Sequence, residues 1–315
     1  MNDAGSMRVL WVTADGDVHE GTEWPENARH VWLDARRVPA TEVLARLFHP
    51  HPMALRQLAG DRTGNGLLAY PDAVVFVIEA PRDQDPLDGL VPVRLALGRR
   101  FLVTVHPDAV RVLEDVWGLA REGPMLKDGA DRVLYELLTG QLSRFRLCER
   151  RLLEDYEDIH RMLLQHPNRD LSHRILHSRR RFLTLAMALR PEVRATALLA
   201  AGDVPGVAAD HHPYFQDVKN QVKSLMEEVE STREGLSSTV EAFASMQSNE
   251  INKVMKFLTM ISVLALPATT IASVYGMNFN IPETHWALGY WYSLALMGSV
   301  TGSLLWYMNR HGWFR

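Results

Sequence analysis

One short segment with a single amide side chain lies between two predominantly apolar stretches of this sequence. Gly276, Met277 and Asn278 follow the apolar part, 257–274, of the uncharged residues 257–282 and come shortly before a second uncharged run, 286–308. The neutral oxygen of an Asn carboxamide can accept hydrogen bonds from the water shell of a hydrated cation without stripping that water. A glycine lets the backbone turn tightly. The alternative interpretation is an ordinary loop turn capped by Asn278.

A second set of candidate residues precedes this segment and repeats at spacings of three, four or seven, which places its members on one face of a helix. The set comprises Glu241, Ser245, Ser248, Asn252, Met255, Ser262, Leu266 and Thr269. The face is polar at its start, apolar around Met255, Leu258 and Leu266, and polar again at Thr269. Copies of such a face arranged in a ring would form a wet vestibule leading to an apolar constriction, which can gate by dewetting. An ordinary seam between two helices would show the same pattern.

The two uncharged stretches predict two membrane-spanning helices. Crossing the hydrocarbon takes about 20 mostly apolar residues, and we expect the spans at 254–274 and 288–308. Residues 275–287 then form an external loop, and 309–315 form a cytoplasmic tail. Basic residues precede the first span and follow the second, which predicts that both ends of the pair are cytoplasmic. They are Lys253, Lys256, Arg310 and Arg315.

Two spans cannot enclose a water-filled path, so a pore requires several copies of the chain. The alternative for the two uncharged stretches is a pair of buried core helices in a soluble protein.

The residues before the first span predict two cytoplasmic regions. In 1–123, β-branched and aromatic runs alternate with Pro and Gly, which predicts an α/β domain. Its strands are expected at 8–13, 30–33, 73–78, 91–97 and 101–105, and its helices at 39–47 and 107–119. Residues 124–253 predict a helical region that includes a long stalk.

Helical periodicity is strong throughout this second region. An amphipathic stripe predicts a helix around 134–152, and another helix is expected at 171–189 with a break at Pro191. Between Pro213 and Pro267 there is no proline. A helix of that length is expected to pack against other long helices or against copies of itself.

Composition and motifs argue against several classes of protein. The net charge of -4 gives no reason to expect nucleic acid as a partner. The single cysteine, Cys148, rules out an internal disulfide framework. The first residues do not show a basic segment followed by an apolar core, so a secretory signal is not predicted. The sequence contains no Walker loop, cysteine pair or His-Glu-x-x-His motif, so an ATP-driven pump or a metalloenzyme has little support. We expect a protein that is not an enzyme and whose bulk is cytoplasmic.

The segment Tyr275-Gly276-Met277-Asn278-Phe279, directly after the first predicted span, resembles the signature of the CorA family of magnesium transporters. The likeness extends upstream to the segments 252–256, 258–259, 214–218, 32–34 and 101–106, and to Pro267, Thr269, Ile271 and Ala272. The resemblance implies an α+β membrane protein that assembles as a homopentameric funnel. Each chain would have a cytoplasmic αβα domain and a long stalk helix that becomes the inner, pore-lining span.

The resemblance also implies a role for each candidate residue. Gly276, Met277 and Asn278 would form the selectivity filter, with Asn278 contacting Mg²⁺ through its hydration shell. Asn252 would form a second polar ring in the pore. The hydrophobic gate would consist of Met255, Leu258 and Leu266, and Thr269 would line the path near the mouth of the pore.

Asp217 matches a stalk aspartate that, in relatives, contributes to a regulatory divalent-cation site between subunits. Its partner carboxylate is not placed by the sequence, and Asp83, Asp85 and Asp88 are nearby candidates. The resemblance therefore implies that Mg²⁺ is both the transported ion and a regulator, with Co²⁺ and Ni²⁺ as accompanying ions and no organic cofactor. The partners implied are the lipid bilayer of the cell membrane and four further copies of the chain.

Two other functions are compatible with this sequence. A zinc transporter of the ZntB type belongs to the same superfamily, but its signature tends to replace the methionine that this chain retains as Met277. A membrane-anchored scaffold or sensor could use the same fold without transport. Such a protein would not need the amides of Asn252 and Asn278 along a pore.

Overall fold

A computed structural model of the chain shows two compact units, Met1–Thr239 and Val240–Arg315. The residues that it describes are 6–37, 67–81, 89–165, 171–202, 204–278 and 280–313. The helix predicted at 39–47 lies outside these residues. The predicted domain boundaries at 123 and 253 remain predictions.

The first unit contains a seven-stranded sheet with the order β2-β1-β3-β7-β6-β5-β4. Its strands are β1 Ser6–Val12, β2 Val18–Gly21, β3 His30–Arg36, β4 Leu68–Ala69, β5 Ala73–Pro81, β6 Leu90–Gly98 and β7 Phe101–His106. Among the described strands, β3 and β7 pair in parallel, and the other neighbours run antiparallel. The five predicted strands are confirmed. The short strands β2 and β4 were not predicted, because neither has a run of β-branched residues long enough to be distinctive.

The helices of the first unit pack on this sheet and on one another. They are α1 Arg111–Glu122, α2 Met125–Asp128, α3 Ala130–Gln165, α4 Ser172–Ala201 and the beginning of α5, His212–Tyr275. The predicted helix at 107–119 begins later, at Arg111. The predicted 134–152 helix is longer at both ends, because the same apolar stripe continues in both directions.

The predicted break at Pro191 is wrong, since α4 continues through this residue to Ala201. A proline inside a helix removes one backbone hydrogen bond, here the one to the carbonyl of Met187. Met187 lies at an exposed position, where water can satisfy that carbonyl, whereas Pro191 itself is buried. Packing of the buried face therefore outweighs the local cost of the proline.

A buried polar cluster joins the two parallel strands at the centre of the sheet. Asp34 of β3 accepts hydrogen bonds from Thr104 Oγ1 and His106 Nε2 of β7, and it forms a salt bridge of 2.9 Å with Arg8 of β1. Burial alone would raise the pKa of Asp34, but the hydrogen bonds from His106 and Thr104 and the charge of Arg8 hold it below its usual value. The cluster involves two of the segments that resemble the CorA family, and its role is to tie three strands together.

A second buried polar group lies in α4 directly after Pro191. The side chain of Glu192 is fully buried, and neither of its carboxyl oxygens has a hydrogen-bond partner among the described residues. Gln141 of α3 lies beside it and donates through Nε2 to the carbonyl of Glu79, while its Oε1 also lacks a partner. Burial raises the pKa of Glu192 well above its ordinary value of 4.5, and the smaller, opposite effect of the neighbouring Gln141 side chain does not cancel it.

We expect Glu192→Gln to stabilise the protein increasingly as the pH rises. The folded pKa is above the unfolded pKa, so wild-type stability is fully present below pH 4.5 and is lost as the pH rises toward the folded pKa. The loss amounts to at most about 1.4 kcal/mol per pH unit in that window. Glutamine has no proton to lose, so the difference in Tm between variant and wild type should grow as the pH rises above 4.5 toward the folded pKa.

Thermal unfolding of the purified full-length protein in detergent checks this expectation. Glu234→Gln, at an exposed position of α5, serves as the matched control and should show no such trend. Parallel pH profiles for wild type and the Glu192 variant would contradict a raised pKa of Glu192.

The second unit contains the rest of α5, a short 3-10 helix at Pro282–His285, and helix α6, Gly289–Arg310. Alpha-helical hydrogen bonding in α5 runs from His212 to Tyr275 and includes Pro267. The long helix predicted between Pro213 and Pro267 is therefore confirmed and extends beyond both residues. The helix predicted within 288–308 is confirmed as a helix by α6.

Candidate ion-conduction site

The C-terminal part of α5 is apolar and uncovered within one chain. Among the residues that the structure describes, one helix is long and apolar enough to cross a membrane: α5 taken together with the 3-10 turn Ala209–His211 that precedes it. Its most apolar stretch has no buried residue. Large apolar side chains such as Phe257, Leu258 and Leu266 are more than half exposed. A surface of this kind is stable only when lipid or another protein chain covers it.

Helix α6 is a weaker candidate for a span. Trp286 to Met308 contain no charged residue, but Gly, Ser and Thr lower the apolarity of this helix. Exposed aromatic side chains lie near both of its ends, including Tyr290 and Trp291 at the start and Trp306 near the end. Such aromatic residues are typical of the two membrane–water interfaces.

The predicted pore-lining residues form a line along one face of α5. Asn252, Met255, Leu258, Leu266 and Thr269 are all exposed in the single chain. Because a helix rises 1.5 Å per residue, the line from Asn252 to Thr269 is about 26 Å long. These side chains therefore do not form one cluster. They form successive levels along the helix, polar at both ends and apolar between.

The hydroxyl groups on this face are already anchored to the helix. Ser262 Oγ donates to the carbonyl of Leu258 at 2.9 Å, and Thr269 Oγ1 donates to the carbonyls of Ala265 and Leu266 at 3.0 and 2.9 Å. Each hydroxyl oxygen retains acceptor capacity toward water. The face thus offers fixed acceptors to water that enters beside the helix.

Two small polar residues on the same face were not among the predicted pore-lining residues. Thr259 lies seven residues after Asn252, and Ser273 lies seven residues after Leu266; both are exposed. Their seven-residue spacing from members of the set was the pattern that could have identified them.

Helix α5 ends at the segment predicted to form the filter. Gly276 N donates to the carbonyl of Ala272 at 3.0 Å, and Met277 N donates to the carbonyl of Val274 at 3.2 Å. A Cβ at Gly276 would lie 3.2 Å from the oxygen of Ala272, a closer contact than most side chains make. Glycine therefore fits this close approach at the end of the helix. Met277 and Asn278 follow it and are both exposed, with Met277 49% exposed.

The connection to α6 contains one carboxylate. Glu283 lies in the 3-10 helix, its backbone carbonyl accepts a hydrogen bond from Trp286 N at 3.3 Å, and its side chain is partly exposed. The Trp286 and Tyr292 rings lie 5.7 Å apart in an edge-to-face arrangement. This packing holds the connection against the first turn of α6.

Asp217 lies on the first turns of α5, far along the sequence from the apolar stretch. It is exposed and accepts a hydrogen bond of 2.6 Å from Gln221 Nε2. The candidate partners Asp83, Asp85 and Asp88 lie outside the described residues. Within the described ranges, no group of three or more His, Cys, Asp or Glu side chains is arranged to hold a metal ion.

Comparison with known families identifies the family to which the chain with this helix and its terminal Gly-Met-Asn segment belongs. The family model described as CorA-like Mg²⁺ transporter protein matches residues 27–310, nearly the whole chain. This chain belongs to the CorA family. The resemblance seen in the signature segment is thereby confirmed for the chain as a whole.

Curated relatives agree with this assignment over nearly their whole length. YfjQ of Bacillus subtilis, named as a candidate metal ion transporter, is 27% identical over 303 residues, covering 94% of this chain and 93% of the relative. The cobalt/magnesium transport protein CorA of Thermotoga maritima is 24% identical over 305 residues, covering 94% of this chain and 87% of the relative. Both relatives are named as metal ion transporters, in agreement with the family model that matches this chain.

Solved structures show the same fold. The complete CorA magnesium transporter of Methanocaldococcus jannaschii superimposes with a TM-score of 0.78 at 19% identity, covering 98% of both chains. The cytoplasmic domain of ZntB from Vibrio parahaemolyticus superimposes with a TM-score of 0.64 at 12% identity, covering 77% of this chain and 98% of that domain. A CorA-like fold with a soluble αβ domain and a long helix is thus confirmed. At these identities the two likenesses do not distinguish magnesium from zinc.

Proposed function

We propose that this CorA-family chain forms a homopentameric channel that admits Mg²⁺ to the cytoplasm, with Co²⁺ and Ni²⁺ as accompanying ions. The observation that carries the proposal is the position of Asn278. Its amide is exposed at the end of a long helix whose apolar stretch is uncovered in the single chain. Five such helices around an axis would line a path with the faces that carry Asn252 and Thr269.

The proposed filter suits the hydration chemistry of Mg²⁺. This ion holds an octahedron of water at close distances and loses that water reluctantly. Five neutral amide oxygens from Asn278 would accept hydrogen bonds from the water shell, so the ion need not be dehydrated. Neutral ligands also avoid the tight binding that a ring of carboxylates would impose, and a conducted ion must be able to leave. In this arrangement Gly276 allows the chain to leave the end of α5, and Met277 separates Gly276 from Asn278 as in the family signature.

The proposed gate is apolar. Met255, Leu258 and Leu266 would project into the path at successive levels below the filter, and a narrow apolar ring excludes water and hydrated ions. Asn252 would provide a second amide ring on the cytoplasmic side of the gate, and Thr269 a hydroxyl ring on the other side. Both rings would stabilise the hydrated ion where the path is wide enough for water.

The proposed topology places both helices of the second unit in the cell membrane. Helix α5 would form the inner span and α6 the outer one, with both termini cytoplasmic and the connection external. Lys253 and Lys256 precede the first span, whereas the connection 276–285 has no Lys or Arg. This asymmetry supports the proposed orientation. Glu283 would then lie at the external mouth, where a carboxylate raises the local concentration of cations.

Cytoplasmic Mg²⁺ is proposed to regulate the channel through Asp217. A cation held between Asp217 and an acidic group of the neighbouring subunit would keep the subunits together and the gate closed. Loss of the cation would leave like charges facing each other, which favours separation and opening. The exposure of Asp217 in the single chain supports this proposal.

A zinc transporter of the ZntB type is the second candidate function. The structural likeness to a ZntB cytoplasmic domain favours it, whereas the methionine at position 277 favours magnesium. Zinc binds nitrogen and sulfur ligands more strongly than neutral amide oxygens, and the proposed path offers neither imidazole nor thiolate. Magnesium is therefore the better match to Asn252 and Asn278.

Uptake into proteoliposomes tests the proposed function. With the interior held negative, we expect vesicles that contain the wild-type protein to take up Mg²⁺ at least about tenfold faster than protein-free vesicles. The membrane potential drives this uptake, because 100 mV contributes about 2.3 kcal/mol per elementary charge. Uptake should fall when the potential is collapsed. A protein that admits Zn²⁺ but not Mg²⁺ would favour the ZntB-type function, and one that admits no divalent cation would favour a scaffold or sensor.

A further inference from the structure

A cavity of about 310 Å³ opens on the first unit, far along the sequence from the proposed pore. Four separate segments meet around it: the start of β3, the β6–β7 turn, the α2–α3 junction and the α4–α5 connection. Its volume is at the lower end of the range of small-molecule sites, about 300–1,000 Å³. A ligand of the size of a small metabolite therefore fits.

One wall of the cavity is preformed by Asp131 at the start of α3. Its carboxylate accepts hydrogen bonds from the backbone N–H of Arg132 at 3.0 Å, from the backbone N–H of Ala208 at 2.8 Å and from His211 Nδ1 at 2.8 Å. These bonds tie the α4–α5 connection to α3. Asp131 thus has its hydrogen-bond partners and serves as a structural part of the wall.

Two glycines bring the backbone close to this wall. Gly129 has a φ of 155°, and a Cβ there would lie 2.3 Å from Asp131 Oδ1. Gly206 has a φ of 107°, and a Cβ there would lie 2.9 Å from the carbonyl group of Gly98. Larger residues at either position would collide with these neighbours, so the shape of the cavity depends on glycine.

Three polar groups that line the cavity have no side-chain partner within the described part of the chain. His30 Nδ1 is buried and makes no hydrogen bond. Arg99 in the β6–β7 turn and Asp128 at the end of α2 are exposed at the mouth and form no ion pair. Because His30 Nδ1 is closed off from the cavity, Arg99 and Asp128 are the two charged groups at the mouth that a ligand can reach.

The charges of these groups are of opposite sign. Burial, together with the positive charges of Arg29 and Arg100, lowers the pKa of His30, so its imidazole is neutral at pH 7. The carboxylate of Asp131 is already paired with Ala208 N and His211 Nδ1, so the charged groups left for a ligand are one cation, Arg99, and one anion, Asp128. The matching ligand carries one negative and one positive group.

We propose that this cavity binds a small zwitterion of the α-amino-acid class. Arg99 binds the carboxylate, for which the planar guanidinium is well suited because it can donate two parallel hydrogen bonds. Asp128 accepts hydrogen bonds from the ammonium group, and the ring of His30 forms part of the wall. The side chain of the ligand packs on Val204 and Val207. This proposal concerns the first unit alone and does not depend on the proposed transport function.

Isothermal titration of the purified full-length protein tests the proposal with L-alanine and L-glutamine as probes. Propionate and ethylamine serve as halves of alanine, because the first lacks the ammonium group and the second lacks the carboxylate. We expect at least one of the two amino acids to bind, and alanine to bind about tenfold or more tightly than either half.

Two variants separate the two charged contacts. Asp128→Asn is expected to weaken alanine binding about tenfold and to leave propionate binding unchanged. Arg99→Gln should weaken alanine and propionate binding together and leave ethylamine binding unchanged. Asp72→Asn, at an exposed turn outside the cavity, is the matched control and should behave as wild type.

Three results would overturn the proposal. The first is no saturable binding of either amino acid by wild type, and the second is equal affinity for alanine and propionate, which would mean a simple anion site. The third is unchanged alanine affinity in both variants. None of these results depends on ion uptake, so failure of this proposal is distinguishable from failure of the transport function.

Discussion

Asn278→Ala is expected to reduce Mg²⁺ uptake into proteoliposomes by at least about tenfold. In the proposed pentamer this one substitution removes five amide groups from the filter. Each lost hydrogen bond to the water shell of the ion costs about 0.5–1.5 kcal/mol, and 1.4 kcal/mol already corresponds to a factor of ten. The effect should appear at all driving forces, because the filter acts on every ion that passes.

Asn280→Ala is the matched control for this experiment. Asn280 is the same residue type, lies two positions further along the same connection, and is exposed. We expect it to retain uptake close to wild type. Equal uptake by wild type and the Asn278 variant would remove the filter assignment, and equal losses in both variants would indicate general damage to the connection instead.

Leu266→Asn is expected to raise the leak of Mg²⁺ about tenfold under conditions in which the wild-type channel is closed. Leu266 is 66% exposed in the single chain, and in the pentamer it would contribute an apolar ring to the gate. An apolar ring keeps a narrow path dry, whereas an amide ring would hydrate it. A tenfold rise corresponds to about 1.4 kcal/mol of lost closing free energy.

The leak is measured with high Mg²⁺ inside the vesicles, the condition proposed to close the channel. Leu266→Met is the control, because it keeps the volume and the apolar character of the side chain. It should leave the leak unchanged. A Leu266→Asn variant that closes as tightly as wild type would show that Leu266 faces lipid or another helix rather than the path.

Much of the fold could be predicted because its patterns are local. The strands at 73–78 and 91–97 are long runs of apolar and β-branched residues, and α5 is free of proline between Pro213 and Pro267. The break expected at Pro191 was wrong because the packing around a buried helix face is not visible in local sequence. The strands β2 and β4 were missed because they are too short to carry a pattern.

The candidate site was predictable to different degrees. The line of residues from Asn252 to Thr269 follows from helical periodicity. The end of α5 before Gly276 was also expected, although the structure shows that glycine is favoured there by a close approach to the carbonyl of Ala272 rather than by a positive φ. The cavity at Arg99 and Asp128 could not be predicted, because it is assembled from four segments that are distant in sequence. The proposed ring of five chains depends on contacts between subunits, which single-chain patterns do not encode.

The mass of the purified protein in lipid nanodiscs, measured by native mass spectrometry, tests the proposed conduit most directly. A pore around five copies of α5 predicts a complex of five times the mass of the chain. A stable monomer that nevertheless mediates Mg²⁺ uptake, or a monomer at every protein concentration, would contradict the account, since one chain cannot enclose a path for a hydrated ion.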